Sequence, residues 1–271
     1  TSSHSSYQRM WDDFAEDRAS AYIGYKFTPR YRVGLTNFLR EEAICEALSL
    51  KKEDVIADIG CAAGRQLLVM AKNIDSGVGV DIAQPFIDTA ESEARNRQIT
   101  NVKFYRSEIE RLPLLDATFD KVICAEVLEH VFDKEVALKE LLRILKPGGL
   151  LLITVPNMNA DATWWGRFMR CVGRRSFHSM ERFSREELLK HGDAHVREFT
   201  GSSLVTWSTG YGLTCIRLRS VSFLDGPWID QVLKIPLHVY PLRAMIIFLE
   251  HMLSKTAILW GRHLVVLLKK S

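Results

Sequence analysis

The segment Val55-Ile56-Ala57-Asp58-Ile59-Gly60-Cys61-Ala62-Ala63-Gly64 decides the fold of this 271-residue chain. Five residues, apolar except for Asp58 and ended by a glycine, read as a short buried strand. The next residues, 64–72, have helical spacing, so the glycine-bearing loop joins a strand to a helix. Glycines in such a loop let the backbone approach a ligand with no Cβ in the way. An acid, Asp81, ends the next apolar run, and its carboxylate can accept both hydroxyls of a ribose.

Working outward, strands are expected at 77–81, 102–105, 121–125, 150–155, 213–221 and 264–268. Helices are expected at 85–97, with Pro85 in the first turn, and at 133–145, capped by Asp133. A tight turn falls at Lys146-Pro147-Gly148-Gly149. Strands separated by helices of this length imply βαβ units and a mostly parallel sheet. Toward the N-terminus, the first 35 residues carry Tyr7, Trp11, Phe14, Tyr22, Tyr25, Phe27 and Tyr31 and read as a helical cap. Thr36 fits an N-cap for a helix carrying Leu39, Ala43, Ile44, Ala47 and Leu48. After Pro156 the alternation is expected to stop until Tyr211, apart from a capping box at Ser184-Arg185-Glu186-Glu187. Residues 227–259 read as apolar and partly helical. The chain divides into an N-terminal cap (1–50), a core (51–156), an insertion (157–210) and C-terminal strands with an apolar helical insert (211–271).

Composition is that of an ordinary globular protein, at 47% hydrophobic and 25% charged residues. A net charge of +3 is too small to argue for nucleic acid. The five cysteines (Cys45, Cys61, Cys124, Cys171, Cys215) are odd in number and never at CxxC spacing, which predicts reduced thiols in a cytoplasmic setting. Residues 1–8 are polar and show no leader pattern. No apolar run reaches the length of a membrane span. His191 and His195 do not make a metal site, because Gly192 and the helix end spoil their spacing and no further ligands cluster there; no metal is expected.

The loop also discriminates between ligands. A GxGxxG loop seats a pyrophosphate at a helix N-terminus. Here the spacing is Gly60-x-x-x-Gly64, and Asp58 stands just before the loop. A fixed anion there repels a pyrophosphate and suits a cationic amino group, so the expected ligand is an adenosine joined to an amino acid.

The remaining motifs resemble, in order, those of the class I S-adenosylmethionine-dependent methyltransferases, especially their ubiquinone-biosynthesis-like small-molecule branch. Residues 55–65 resemble the first motif and Val78-Gly79-Val80-Asp81-Ile82 the second. Ser107-Glu108-Ile109-Glu110-Arg111-Leu112-Pro113 is similar to the family's GDAxxLP segment, and residues 119–124 to its FDxVxC strand. Glu126-Val127-Leu128-Glu129-His130-Val131, Leu145-Lys146-Pro147-Gly148-Gly149 and His195-Val196-Arg197-Glu198-Phe199-Thr200 match further segments, the last of which closes the active site in many members. Ala62 and Glu108 depart from a common glycine and a usual Asp. The resemblance implies a Rossmann-like α/β fold: a seven-stranded, mostly parallel sheet with helices on both faces and an insertion after the fifth strand.

It also implies roles. S-adenosylmethionine is the cofactor and S-adenosylhomocysteine the product. Gly60, Cys61 and Gly64 would lie along the methionine part, with Asp58 near its amino group and Ala125 offering a carbonyl to it. Asp81 would bind the ribose, Ile82 pack on the adenine, Glu108 accept from the adenine amino group, and Ile109 supply a backbone N–H. His195 is favoured slightly over His130 as the base for a hydroxyl acceptor, and Arg197 is a candidate for orienting an anionic substrate.

Trp164, Trp165 and Arg167 are candidate substrate contacts in the insertion. The apolar tail with Lys255, Arg262, Lys269 and Lys270 raises peripheral contact with an anionic membrane, or a lipid-linked substrate. The expected acceptor is a small hydroxylated metabolite, sugar or lipid-linked precursor. An RNA or protein methyltransferase, or a non-catalytic cofactor-binding protein, are the alternatives. The first of these lacks an Asn-Pro-Pro-aromatic turn after the fourth strand, where Ala125-Glu126-Val127-Leu128 stands.

Overall fold

The structure, a computed structural model, describes residues 2–16, 18–19, 32–131, 133–160, 199–223, 240–255 and 261–271. Two N-terminal helices, α1 (Ser2–Glu16) and α2 (Arg32–Leu48), precede the alternating core. The core then runs β1 (Val55–Ile59), α3 (Arg65–Met70), β2 (Ser76–Asp81), α4 (Gln84–Asn96), β3 (Val102–Arg106), β4 (Phe119–Ala125), α5 (Lys134–Ile144) and β5 (Leu145–Pro156). It ends with α6 (Gly201–Thr209), β6 (Leu213–Val221), α7 (Tyr240–Ser254) and β7 (His263–Lys270).

The seven strands form one sheet in the order β3-β2-β1-β4-β5-β7-β6. The first five are parallel, while β7 is antiparallel to both β5 and β6. Alternation along each strand sends side chains to two cores. Ala57, Ile59, Val122, Cys124, Leu151 and Ile153 join Leu138, Leu141 and Leu204 of α5 and α6 on one face. Ile56, Ile123, Leu152, Val265 and Leu267 join Ala43, Ile44, Ala47 and Leu48 of α2 and Ile87 and Ala90 of α4 on the other. The order reverses between β1 and β4, so the crevice beyond their carboxyl ends is the place for a ligand.

Three elements differ from the sequence expectation. Helix α2 begins at Arg32, four residues before Thr36; a residue that suits a cap does not by itself end a helix that tertiary packing extends. The Lys146–Gly149 turn lies inside β5 as a bulge, because Phe119 pairs with Leu145 while Lys121 pairs with Leu150. Gly148, at φ +74°, supplies the left-handed residue that this needs. Helix α6 falls within the stretch read as unpatterned. It is capped reciprocally by Thr200 and Ser203 and buries Leu204, continuing the α/β alternation. The capping box at 184–187 lies outside the described residues.

The strand edge is pinned by a buried ion pair. Lys121 and Asp54 are 5% and 7% exposed and bonded to one another; Lys121 Nζ also donates to Ser49 O at 3.1 Å. Asp54 accepts from Lys51 N–H at 2.6 Å, which closes the turn before β1. Removing one member of such a pair strands the other's charge. Lys121→Ala is therefore expected to lower the unfolding free energy by about 3–5 kcal/mol, measured by urea titration. The Asp54→Ala/Lys121→Ala double variant should lose less than the sum of the singles; strict additivity would refute the pairing.

Candidate active site

A cavity of about 420 Å³ opens at the carboxyl ends of β1, β2 and β4, within the size range of small-molecule sites. Its floor is the Gly60 loop. Gly60 and Cys61 N–H donate to Val80 O at 2.7 and 3.0 Å, folding the loop across β2. Gly60 sits at φ +78°, and a Cβ there would stand 2.1 Å from Val127 Cγ2, so only glycine fits. Gly64, at φ +72°, turns the chain into α3. Ala62 also takes a positive φ of +45°, a conformation that costs a non-glycine residue about 1 kcal/mol. That matches the departure from glycine noted in the sequence.

Asp81 holds this turn. Its Oδ2 accepts from Ala62 N–H at 2.8 Å and its Oδ1 from Ala83 N–H at 3.0 Å. Burial pushes its pKa up to about 6, against the pull of these amides. Asp58, also buried, is pushed up to about 7 by burial first and by Asp81 and Glu41 second. The sequence reading treated Asp58 as a fixed anion. The structure makes it a carboxyl that titrates near neutrality and that a nearby cation would ionise. Cys61 is buried, with its thiol held well above the usual range by burial, so it contributes backbone rather than a thiolate. Cys45, Cys61, Cys124 and Cys215 are all free thiols.

Ile82, Glu108, Ile109 and Ala125 line the same cavity. Glu108 Oε1 accepts from Gln8 Nε2 at 3.0 Å, which ties α1 to the far end of the pocket. Gly64 shapes the loop from just outside the lining. His130 is in the wall, edge-on to Trp11 at 5.3 Å, and its backbone oxygen accepts from Tyr7 Oη at 3.0 Å. The proposed residues Trp164, Trp165, Arg167, His195 and Arg197 lie outside the described residues.

Several wall residues were not singled out from the sequence. Tyr7, Trp11 and Phe14 of α1 close one side; their i, i+4, i+7 spacing was the available signal. Asn37, Arg40 and Glu41 of α2 and Arg65 and Gln66 of α3 close another, and nothing local distinguishes them from a solvated helix face. Glu126 is half-buried and held by a bond from Thr154 Oγ1 (2.8 Å), a contact with His263 Nδ1 (2.9 Å) and Arg40 at 3.4 Å. Burial alone would raise its pKa, but His263 and Arg40 hold it well below the carboxylate range. Glu129, 1% exposed, is raised by burial and by Glu126. Its Oε2 and the Nε2 of Gln66 have no hydrogen-bond partner. Buried polar groups left unpaired in a cavity wall are unfavourable unless a polar ligand meets them.

The wall is therefore two-ended. One end offers Asp81 and Glu108 beside the apolar Ile82 and Ile109, which suits an adenosine. The other offers loop backbone, Asp58 and the cations Arg40 and Arg65, which suits a zwitterionic amino acid. Among the described residues no cluster of His, Cys, Asp and Glu could hold a metal ion.

Comparison with known proteins agrees with this geometry. Residues 57–153 match the family model described as a methyltransferase domain. A ubiquinone biosynthesis O-methyltransferase of Coxiella burnetii is 34% identical over 128 residues, 47% of this chain and 54% of that protein. The uncharacterized methyltransferase YcgJ of Bacillus subtilis is 31% identical over 103 residues, 38% of this chain and 41% of that protein. The chain thus spans about half the length of these curated relatives. In fold, it is similar to a putative methyltransferase of Haloferax volcanii solved with the Trm112 methyltransferase activator, with a TM-score of 0.62 at 17% identity over 96% of both chains. It is also similar to the YcgJ structure, with a TM-score of 0.54 at 20% identity over 85% of this chain and 97% of that one. The match over residues 57–153, with the glycine loop and the sheet order around it, shows that this part of the chain is a methyltransferase domain similar to those of the class I S-adenosylmethionine-dependent enzymes.

Proposed function

We propose that this protein transfers a methyl group from S-adenosylmethionine to a hydroxyl of a small molecule, a metabolite, sugar or lipid-linked precursor. The observation that carries the reading is the two-ended cavity, with Asp81 and Glu108 at one end and Asp58, Arg40 and Ala125 at the other. The cofactor, when bound, supplies an electrophilic methyl on a sulfonium. Asp81 would hold the ribose and Glu108 the adenine amino group. Ala125 O and Asp58 would receive the ammonium, and Arg40 the carboxylate. The similarity to an O-methyltransferase supports oxygen as the acceptor atom.

The chain's own task is then to exclude water, orient the acceptor and take its proton. Helix α1 roofs the cavity through Tyr7 and Trp11. His130 is wedged against Trp11, which suits a residue that shapes the wall. We assign proton acceptance to His195, in the segment resembling the family's closing segment, and acceptor contacts to Trp164, Trp165, Arg167 and Arg197. Residues 157–198 would serve as the lid. A second reading, a macromolecular methyltransferase with an accessory subunit, draws support from the full-length likeness to the Haloferax volcanii protein solved with its activator. Nuclease-sensitive copurification would favour it.

Three measurements test the first reading. Calorimetric titration of S-adenosylmethionine should show binding that Asp81→Ala weakens by about a hundredfold, the loss of two charge-assisted hydrogen bonds. Folded wild-type protein that binds neither cofactor nor product would end the reading.

The second follows from the raised carboxyls. Asp58 and Asp81 have folded pKa values of about 7 and about 6, above their ordinary 3.8. The stability they give the free protein is present below the ordinary carboxylate range and lost as pH rises through 6 to 7. A cationic ligand favours the ionised forms, so cofactor affinity should rise with pH across that same window, with proton release detectable in buffers of different ionisation enthalpy. A flat affinity would place the ammonium away from Asp58.

Third, His195→Ala should lower transfer to a screened hydroxyl acceptor by roughly 10²–10⁴ at unchanged cofactor affinity. A larger loss in His130→Ala would move the base to His130.

A further inference from the structure

Helix α7 has two faces that the rest of the fold treats differently. On one, Glu250 is 1% exposed and accepts from Phe223 N–H at 3.0 Å, and His251 Nε2 meets Glu42 of α2 at 2.9 Å. This face is fastened. On the other, Met245, Phe248, Leu249 and Met252 are 51%, 61%, 42% and 55% exposed. Their i, i+3, i+4, i+7 spacing aligns them in one stripe about 10 Å long. Monomeric soluble proteins scatter such residues singly; a continuous stripe marks an interaction surface.

The stripe's chemistry selects its occupant. A stable protein partner needs about 800 Å² from each side, more than four side chains on one helix supply. An interfacial helix needs only to sink its apolar face about 5–10 Å into the headgroup and acyl boundary. Cations stand at the border: Lys255 follows the last turn, and the exposed Arg217 lies on β6, the sheet's edge strand. Both act on Glu46 together with Arg219, which places them at the same end of the α7 contact. Glu46 is itself paired with Arg219 at 2.7 Å, and Glu42 with His251. Among the described residues, Glu46 and Glu42 thus have Arg219 and His251 as their close partners, and the exposed Arg217 and Lys255 stand where they can also meet an anionic headgroup.

We infer that the outer face of α7, with Arg217 and Lys255, docks this protein on an anionic lipid surface. Helix α2 lies between that surface and the cavity. Its Leu39, Glu42 and Ala43 meet the α7 side, and its Asn37, Arg40 and Glu41 line the pocket. The docking surface is therefore separated from the site by α7 itself and by α2, about two helix diameters or some 20 Å. This gives the lipid-linked branch of the proposed acceptors a physical route, although docking itself does not depend on the methyl-transfer reading.

The test is co-sedimentation of the full chain with phosphatidylcholine vesicles, with and without phosphatidylglycerol. Binding is expected only with the anionic lipid and should weaken with salt. The Phe248→Ser/Met252→Ser variant, both positions being exposed, should keep its melting temperature and its cofactor affinity while its partition falls at least about tenfold. Wild-type protein that stays in solution with anionic vesicles overturns the inference. So does a double variant that partitions like wild type, which would put any lipid contact elsewhere. A wild-type dimer that the variant converts to monomer, read by light scattering, would also overturn it and assign the stripe to a second copy.

Discussion

The Asp81 carboxylate is the constraint on which the site depends. It ends β2, is buried, and spends both oxygens on backbone N–H groups, one from the Gly60 loop and one from the start of α4. The bonds from Gly60 and Cys61 N–H to Val80 O set the loop across β2, and the Asp81 carboxylate adds the bond that holds the left-handed Ala62. Each oxygen has a second lone pair beyond these bonds, and Asp81 lines the cavity, so the group that builds the floor can also accept from a hydroxylated ligand. A carboxylate that satisfies protein amides without being saturated by them is pre-organised for a hydroxylated ligand.

The electrostatics of the cavity follow from how its acids are partnered. Glu126, with Thr154, His263 and Arg40 around it, stays ionised in a half-buried setting. Asp58 and Glu129 have no cation as close among the described residues and are shifted toward the neutral form by burial first. Burial is common to all three, and the neighbouring cations decide the outcome. Of these three wall carboxyls, one is thus a stable anion and two carry a charge that depends on what enters. That arrangement accommodates a cationic ligand without confronting it, or the empty cavity, with a cluster of fixed negative charges.

Helix α1 and the β5–β7–β6 end of the sheet are the parts that distinguish this chain's site from a bare α/β crevice. Trp11 and Phe14 pack on Ala63, Ala83 and Phe86, so the N-terminal helix rests on the Gly60 loop and the start of α4. Asp12 reinforces the contact, accepting from Gln84 N–H at 2.8 Å and pairing with Arg106 at 2.8 Å. At the other side, β7 brings His263 to Glu126 across β5. Two segments at opposite ends of the chain therefore finish a pocket whose floor is coded in between.

Much of this was legible in the order of residues. The β1–loop–α3 turn and the acid ending β2 are local: each needs a residue type at a set spacing along one segment, and Gly60, Gly64 and Asp81 meet those needs, whereas the LKPGG segment reads as a tight turn and only the pairing of β4 with β5 makes it a bulge. The cavity-lining residues Ile82, Glu108, Ile109 and Ala125 were legible only through the resemblance to the methyltransferase motifs, and the structure brings them together at or just past strand ends. Tertiary structure alone decided that Arg40 and Gln66 face the cavity rather than solvent, since a polar residue on an exposed or a pocket-facing helix turn has the same sequence signature. It alone turned Asp58 from a fixed anion into a titrating carboxyl, because a pKa depends on burial and on neighbours such as Asp81 and Glu41 distant in the chain. It alone also divided the apolar tail into a fastened and an open face of α7. Periodicity shows that a helix has an apolar side, and only packing shows which apolar side chains the fold leaves uncovered.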